Sequence, residues 1–247
     1  MHNELFDLMN NAQNILIFTG AGVSTQSGIP DFRGPQGIWK NRNPIYYQEF
    51  MSFEESRIEY WQFKLDGWKE FQSARPNSIH LAIAKLEKMG KLCCVVTQNI
   101  DGLHRMAGNS EEKLIELHGT NSFVECQTCH ETSEPQPHFD YFIQTGKSPC
   151  CPCGGYLKHA TISFGQNLRQ KDLDLAIDKA NEADMVIALG STLEVYPAAE
   201  IPRITARKGN PYVIINRGDT GHDHFEFLTL KINDDIARVF SVVVDKI

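Results

Sequence analysis

The sequence lacks any hydrophobic run long enough to cross a bilayer. The longest runs, such as Met185–Leu189, are far shorter than the roughly 20 apolar residues that a spanning helix needs. The first residues, MHNELFD, also lack the basic and apolar regions of a secretory signal. No internal repeat or low-complexity segment occurs. We therefore expect an intracellular, cytoplasmic protein with no membrane partner.

Basic residues are scarcer than acidic ones. The chain has 24 Lys and Arg against 31 Asp and Glu, which gives a formal net charge of −7 at pH 7. This charge argues against direct nucleic-acid binding, which depends on basic surfaces, and mildly favours basic protein partners. The length of 247 residues and the apolar fraction of 41% allow one large domain with a substantial core, as in an ordinary globular enzyme.

A glycine-rich segment follows the first apolar run. Residues 15–18 are ILIF, and residues 19–39 are TGAGVSTQSGIPDFRGPQGIW. Small residues in such a turn let backbone N–H groups approach a phosphate, so a nucleotide is the natural ligand. The later part places Asp31, Phe32 and Arg33 on a loop rich in Gly and Pro that can fold over a bound ligand.

The dinucleotide-binding fingerprint is met only in part. Gly20 and Gly22 occupy its first two positions, but Thr25 stands where the third glycine belongs. The region near Lys40 is polar and does not end a second strand in Asp or Glu. A hydride-transferring dehydrogenase is therefore not favoured. Taken alone, Gly-x-Gly after a strand is equally compatible with a plain tight turn.

Apolar runs alternate with amphipathic segments along the chain. Six runs are predicted strands, several of them apolar on both faces as in a buried parallel sheet: 15–19, 92–97, 114–117, 185–189, 212–216 and 228–232. Five segments are predicted helices: 4–12, 78–89, 170–181, 198–208 and 235–243. This order predicts an α/β fold, with a Rossmann-like parallel sheet, helices on both of its faces, and ligands at the carboxyl ends of the strands.

Two stretches break this alternation. Residues 35–75 are rich in aromatics and helical in their second half, and residues 123–159 are rich in Pro and Cys. We expect a single catalytic domain over residues 1–247. Its Rossmann-like core is assigned to 1–34, 76–122 and 160–247, and a smaller helical and zinc-ribbon domain to the two insertions, 35–75 and 123–159.

The cysteine spacing predicts a zinc site. Cys126, Cys129, Cys150 and Cys153 form C-x2-C-x20-C-x2-C, the kind of spacing by which two tight turns direct four thiolates at one tetrahedral ion. Cys151 is a fifth thiol that could replace Cys150, although the x2 spacing favours Cys150. The alternative of two disulfides is weak in a reducing compartment. The pattern offers neither an open position nor a general base, so we expect one structural zinc ion.

Two further motifs follow apolar runs. Residues 95–104 are VVTQNIDGLH, which groups amides and a carboxylate at the end of a strand, and residues 116–119 are ELHG, which places His118 beside a glycine. Together with GAGxSxxSGIPDFRG and the paired C-x2-C motifs, these residues resemble the sirtuin family of NAD-dependent protein deacylases, in particular its bacterial and archaeal members. The resemblance covers almost the whole chain, and the combination of motifs is highly specific.

The resemblance implies that the chain binds NAD and transfers an acyl group from lysine to ADP-ribose with release of nicotinamide. It implies phosphates at the glycine-rich turn, nicotinamide near the following loop and the second motif, and adenosine near the last strands. The implied cofactor-binding residues are Gly20, Ala21, Gly22, Thr25, Asp31, Phe32, Arg33, Gln98, Asn99, Asp101, Gly190, Ser191, Thr192 and Asn216.

Two residues carry the catalysis that the resemblance implies. His118 is the general base for a ribose hydroxyl, a role that suits histidine because its ordinary pKa lies near 6.5. Asn99 holds the nicotinamide and its ribose. The partner is an acylated-lysine protein or peptide, which the resemblance places along Phe164, Gly165 and Val195 as an added strand.

The chain departs from the family pattern at several positions. Gln166 stands where glutamate is more usual, which puts in doubt a strong preference for basic flanks, and His159 stands where proline is common. Sirtuins that prefer succinyl or malonyl groups carry Tyr and Arg where our alignment places Trp61 and Lys64, and lysine cannot bind a carboxylate bidentately. We therefore expect a preference for acetyl and other uncharged acyl groups, with Lys64 solvated.

Two other functions stay open on the sequence. An NAD glycohydrolase or ADP-ribosyltransferase on the same scaffold shares the cofactor loop but does not need the groove at Phe164, Gly165 and Val195. An NAD-sensing binding module without turnover is expected to lack His118 or Asn99, and both are present. Product analysis separates these functions, because O-acyl-ADP-ribose forms only when a lysine acyl group is transferred.

Overall fold

The computed structural model describes residues 2–31, 37 and 43–247. Its strands are β1 (Ile15–Thr19), β2 (Leu92–Thr97), β3 (Leu114–Glu116), β4 (Gly119–Cys126), β5 (Thr132–Ser133), β6 (Leu157–Thr161), β7 (Met185–Leu189), β8 (Tyr212–Ile215) and β9 (Leu230–Ile232). Six of them form a sheet in the order β3-β2-β1-β7-β8-β9, in which every neighbouring pair is parallel. The other three form an antiparallel sheet in the order β5-β4-β6.

Helices cover both faces of the parallel sheet. The α-helices of the described residues, including those beside the smaller sheet, are α1 (His2–Asn11), α2 (Tyr47–Ser52), α3 (Glu54–Asp66), α4 (Trp68–Ser73), α5 (Ser78–Lys88), α6 (Leu103–Ala107), α7 (Gln136–Thr145), α8 (Gln170–Glu182), α9 (Glu200–Arg207) and α10 (Val242–Val244). Along β1, Ile15 and Ile17 pack into one cluster with α1, α5 and α10, whereas Leu16 and Phe18 pack into another with α8 and α9. Because side chains of a strand alternate between its faces, an all-apolar β1 serves two cores.

The predicted α/β fold is confirmed. All six predicted strands form, although β3 and β8 end one residue earlier than predicted. The strand β9 begins two residues later than predicted, because Leu228 N–H donates to Phe225 O in a turn. All five predicted helices form with shifted ends, and the last begins as a π-helical turn at Ala237–Ser241. Within the described chain, no helix has the length and apolar character that crossing a membrane requires.

The antiparallel sheet belongs to a third apolar cluster with α2, α3 and α7. Phe50, Trp61, Phe139 and Leu157 are buried in this cluster. Arg57 is also buried there, where its guanidinium lies 3.7 Å from the ring centroid of Tyr156. The sequence did not predict β4 or β6, because their polar residues interrupt any apolar run. Tertiary contacts bury all five residues of β6, whereas the polar residues of β4 are half-buried.

Candidate active site

A cleft of about 1920 Å³ opens at the carboxyl ends of β1, β2, β7 and β8. This volume exceeds the range of about 300–1,000 Å³ that is usual for one small ligand, so two ligands have room. The predicted site residues that line the cleft are Gly20, Ala21, Gly22, Thr25, Asp31, Gln98, Asn99, Asp101, His118, Phe164, Gly165, Gly190, Ser191, Thr192, Val195 and Asn216. Phe32 and Arg33 lie outside the described residues.

Glycines let the turns after β1 and β7 pack backbone against backbone. Gly20 N–H donates to Leu189 O (3.0 Å), and Gly22 N–H donates to Gly190 O (2.9 Å). A Cβ atom on Gly20 would lie 2.7 Å from Gly190 O, and one on Gly22 would lie 2.7 Å from Gly190 Cα. These two amides are engaged with the neighbouring turn. The glycines therefore permit close packing here, which differs from the expected approach of their amides to a phosphate.

The loop after β2 is bonded to the first of these turns. Asn99 Nδ2 donates to Gly20 O and to Ser24 Oγ, both at 3.1 Å. The Asp101 carboxylate accepts from Ser24 Oγ (2.7 Å) and from Leu103 N–H (2.9 Å). Both side chains are buried, and burial raises the pKa of Asp101. Because both amide hydrogens of Asn99 are engaged, its carbonyl oxygen is the atom that can accept from a ligand.

A backbone hydrogen bond sets the tautomer of His118. Its Nδ1 lies 3.0 Å from the carbonyl oxygen of Gln98. A carbonyl only accepts, so Nδ1 carries the hydrogen, and the neutral ring has its lone pair on Nε2. The His118 backbone is held in turn, because its carbonyl accepts from Ile162 N–H (2.8 Å). This half-buried ring lines the cleft and can accept a proton from a ligand hydroxyl.

The residues predicted at the adenosine end lie in the same cleft. Gln98 Nε2 donates to Ser191 Oγ (2.8 Å), which joins the ends of β2 and β7. Thr192 O accepts from Gly221 N–H (2.8 Å), and Asn216 Nδ2 donates to the carbonyl of the next residue (3.0 Å). Hydroxyl and amide side chains therefore line the ends of β2, β7 and β8, where they can bind a polar ligand.

Two of the three predicted substrate residues contact α2. Phe164 O accepts from Tyr47 N–H (2.9 Å), and Gly165 O accepts from Gln48 Nε2 (2.9 Å). Gly165 has a φ of +77°, and a Cβ atom there would lie 2.5 Å from Gln48 Oε1. Phe164, Gly165 and Val195 line the cleft that also contains the catalytic candidates. The structure therefore brings the predicted substrate and catalytic residues together.

Lys64 lies in the cleft, and the expectation that it is solvated is wrong. Its half-buried side chain lines the cleft, and its ammonium group donates to Asn121 Oδ1 (2.7 Å). Burial lowers the pKa of Lys64 to about 7. Trp61 is fully buried, and its indole N–H donates to Leu157 O (3.2 Å), so it belongs to the core. The cleft therefore contains a cation three residues beyond a core tryptophan.

Four thiols are arranged for one metal ion. The Sγ atoms of Cys126, Cys129, Cys151 and Cys153 all lie within 4.8 Å of one another. The Sγ–Sγ distances are 3.5 Å for Cys126 and Cys153 and 3.7 Å for Cys129 and Cys151. A tetrahedral zinc with Zn–S bonds of about 2.3 Å separates its sulfurs by about 3.8 Å. This donor set therefore fits one zinc ion.

The ligand prediction for Cys150 is corrected by this cluster, which contains Cys151 in its place. Cys150 forms an antiparallel bridge with Tyr156, and Cys151 N–H donates to Gly155 O (2.8 Å). Successive side chains of extended backbone point to opposite sides. Cys150 and Cys151 therefore face opposite sides, and the turn closed by Gly154 N–H to Cys151 O (2.8 Å) brings Cys153 to the side of Cys151.

Comparison with known proteins agrees with this geometry. The model of the Sir2 family matches residues 20–197. The chain belongs to the Sir2 family. It is also 39% identical over 242 residues to a protein of Rhodopseudomonas palustris named NAD-dependent protein deacetylase, an alignment that covers 98% of this chain and 95% of that protein.

Solved Sir2 structures share the fold over the whole chain. A Sir2 complex with p53 peptide and NAD+ has a TM-score of 0.88 and 37% identity, and the match covers 100% of this chain and 98% of that one. A Sir2 variant with deacetylated p53 peptide and 3′-O-acetyl ADP-ribose has a TM-score of 0.89 and 38% identity, with coverage of 99% and 97%. The resemblance found in the sequence is thereby confirmed.

Two residues of this Sir2 site were missed in the sequence. Ser24 is buried and bonds to both Asn99 and Asp101. The sequence contained a signal for Ser24, because a small hydroxyl residue stands two positions after Gly22 inside the glycine-rich motif. Asn121 accepts from the Lys64 ammonium group. No sequence signal marked Asn121, because only the tertiary fold brings α3 beside β4.

Proposed function

We propose that this chain is an NAD-dependent protein lysine deacylase that removes acetyl groups and transfers them to ADP-ribose with release of nicotinamide. The observation that carries this proposal is the bond from His118 Nδ1–H to Gln98 O, which leaves Nε2 as the proton acceptor in a cleft large enough for two ligands. Support comes from the relative named NAD-dependent protein deacetylase and from the Sir2 complexes with NAD+ and peptide.

The residues at the cleft fit a dinucleotide. Backbone-to-backbone packing at Gly20, Gly22 and Gly190 leaves the strand ends open to a ligand, and the Asn99 and Asp101 side chains are held rigidly beside them. NAD, when bound, supplies an electrophilic ribose carbon and the hydroxyl that accepts the acyl group.

Residues of this chain bind and orient the ligands and transfer the proton. Asn99 and Asp101 hold the nicotinamide ribose in place, and the cleft excludes water from the reacting carbon. His118 takes a proton at Nε2 from the acceptor hydroxyl, while its Nδ1–H stays on Gln98 O. The positive charge that develops on the ring is stabilised by that carbonyl dipole.

The acylated-lysine substrate is proposed to lie along Phe164, Gly165 and Val195, which line the cleft. An extended peptide gains main-chain hydrogen bonds there with little demand on its sequence. We also propose that the cleft lies between the core and the small domain assigned from the sequence. The four clustered thiols would hold zinc in that small domain, where the ion stabilises the hairpin. Free thiols and zinc fit the reducing cytoplasm.

Mass spectrometry of the reaction products tests the proposed function. The purified protein is incubated with NAD and a peptide that contains one acetyl-lysine. The proposal predicts deacetylated peptide, nicotinamide and O-acetyl-ADP-ribose. Free ADP-ribose without any loss of acetyl from the peptide would contradict the proposal and indicate a glycohydrolase, and ADP-ribosylated peptide would indicate a transferase.

A further inference from the structure

Two buried histidines pack against each other beneath the cleft. His80 lies in α5 and His104 in α6, and their side chains are 0% and 2% exposed. Their ring centroids are 4.9 Å apart, and the planes are inclined by 58°. Burial lowers the pKa of His80 to about 4 and that of His104 to about 3, so both rings are neutral at physiological pH. Neither ring lines the cleft, and the proposed chemistry does not use them.

His104 is connected to the loop that carries Asn99. Its Nε2 lies 3.0 Å from Thr19 Oγ1, and Thr19 Oγ1 donates to Thr97 Oγ1 (2.8 Å). Thr97 Oγ1 also accepts from Asn99 N–H (3.0 Å). At the other end of the loop, Asp101 accepts from the first amide of α6, the helix that carries His104. The loop 99–102 is therefore held at its start by bonds that lead through Thr97 and Thr19 to His104, and near its end by a bond to the helix that carries His104.

His80 is connected to the opposite wall of the cleft. Its Nδ1 accepts from Asn77 N–H (3.3 Å). The Asn77 side chain donates to Val23 O (2.8 Å) and to Ser27 Oγ (2.9 Å), both in the turns that follow β1. The two histidines thus lie between the loop 99–102 and the turns 21–27, which meet at the proposed nicotinamide position.

The hydrogen bonds determine the tautomer of each ring. Thr19 gives its only hydroxyl hydrogen to Thr97, so His104 must donate from Nε2, and its Nδ1 is an acceptor. His80 accepts at Nδ1, so its Nε2 carries the hydrogen. Among the described residues, these two remaining ring nitrogens are buried without a hydrogen-bond partner. One is a donor and the other an acceptor, which suits a hydrogen-bonded connection between the rings through one water molecule.

We propose that His80 and His104 are positioning residues that together hold Asn99 and Asp101 against the turns 21–27 for the release of nicotinamide. This inference rests on the proposed deacylase function. A misplaced loop impairs the chemical step more than NAD binding, because the phosphates and adenosine are proposed to contact other parts of the cleft.

Substitution of His104 in two ways tests the inference. His104→Leu removes both ring nitrogens, whereas His104→Gln keeps an amide N–H that can reach Thr19. We expect His104→Leu to lower kcat at least tenfold with an NAD Kd within threefold of the wild type, and His104→Gln to recover kcat to within threefold. His222→Leu is the matched control, because that histidine is equally buried and bonded to Tyr212 OH at 2.8 Å. It should lower Tm and leave kcat within twofold.

A readout without turnover accompanies the kinetics. Hydrogen exchange of the amides in residues 98–104, measured by mass spectrometry on the ligand-free protein, should be at least tenfold faster in His104→Leu and near wild type in His104→Gln. His80→Leu should show the same acceleration, and the double Leu variant should be no faster than either single variant, because both act through one connection.

Three results would overturn the inference. They are a wild-type kcat in a folded His104→Leu variant, a His104→Gln variant no more active than His104→Leu, and unchanged exchange at residues 98–104. If His104→Leu does not fold, Thr97→Val and Thr97→Ser are measured in place of the two His104 variants. Equal activity of Thr97→Val and Thr97→Ser would also overturn the inference. Absence of deacylation by the wild-type protein would contradict the proposed function. The hydrogen-exchange rates at residues 98–104 would still show whether His80 and His104 hold the loop.

Discussion

At the scale of single residues, the chemistry depends on how His118 is held. Its presence in an ELHG motif was recognisable from the sequence, but its tautomer was not. The hydrogen bond that decides the tautomer is accepted by the carbonyl of Gln98, 20 residues away, and only the fold brings the two together. The same holds for Lys64, whose position in the cleft follows from the packing of α3 beside Asn121.

Substitution of His118 should abolish deacylation and spare NAD binding. We expect His118→Ala to lower kcat by about 10²- to 10⁴-fold, the usual contribution of a general base, with an NAD Kd within threefold of the wild type. The measurements are steady-state kinetics with an acetyl-lysine peptide and calorimetric titration with NAD. His224→Ala, at an exposed histidine, is the control and should have wild-type kinetics. A His118→Ala variant with more than about a tenth of wild-type kcat would refute the assignment.

Lys64 should make acyl selectivity depend on pH. Its pKa of about 7 means that the ammonium group is charged below that pH and neutral above it. A succinyl carboxylate stays ionised across this range. The ratio of kcat/KM for succinyl peptide to that for acetyl peptide should therefore rise severalfold as the pH falls from 8.5 to 6. The ratio is informative because titration of catalytic groups used by both substrates cancels.

Matched variants identify the group responsible for this pH dependence. Lys64→Met should give a ratio that is independent of pH, and Lys69→Met, at an exposed lysine of the next helix, should behave as the wild type. A wild-type ratio that is flat from pH 8.5 to 6 would show that Lys64 does not meet the distal end of the acyl group. The expected preference for acetyl over succinyl stays a prediction, and the same kinetic measurements test it.

At the scale of elements, apolar strands were predictable and polar ones were not. The strands β1, β2 and β7 are continuous apolar runs, and their predicted ends are the observed ones. The strand β6 has the sequence LKHAT, yet all five residues are buried, and Lys158 Nζ donates to the carbonyls of His159 and Thr161. A lysine in a strand core carries no local signal, because its partners are set by tertiary structure.

The cysteine hairpin is a second case in which tertiary pairing decides what the local sequence does not. Spacing of x2 predicts a tight turn in which the first and fourth residues share a side, but pairing of Cys150 with Tyr156 extends the backbone and selects Cys151. We expect Cys151→Ser to lose the single equivalent of zinc, with a lower Tm, and Cys150→Ser to keep it. Metal analysis by mass spectrometry and thermal unfolding measure both effects. Zinc loss in Cys150→Ser and retention in Cys151→Ser would restore the ligand set predicted from spacing.

At the scale of the whole molecule, one sheet brings the motifs of the cleft together. Segments up to 196 positions apart in the chain follow parallel strands and so lie at the same edge of the sheet, at Gly20, Asn99, Gly190 and Asn216. This convergence was predictable, because parallel strands place their carboxyl ends together. The size of the cleft was not, because it depends on how the antiparallel sheet and α2 to α4 pack beside that edge.

Stability should fall as the solution is acidified from pH 7 to pH 5. Burial lowers the pKa of His80 to about 4, of His104 to about 3 and of His222 to about 4. In the unfolded chain these groups titrate near 6.5, so below that pH the unfolded state binds more protons and is favoured. Urea unfolding at pH 7.5, 6 and 5 should give a decreasing free energy of unfolding. An equal free energy at pH 7.5 and pH 5 would contradict this account of the buried histidines.

The most direct test of the central claim, that one cleft couples NAD cleavage to acyl transfer, is the rate of nicotinamide release with and without an acetyl-lysine peptide. Nicotinamide, deacetylated peptide and O-acetyl-ADP-ribose are quantified in the same reaction. The account predicts equal amounts of the three products and at least a tenfold slower release of nicotinamide when the peptide is absent or carries free lysine. Nicotinamide released at the same rate without acylated peptide, with free ADP-ribose as the other product, would contradict it.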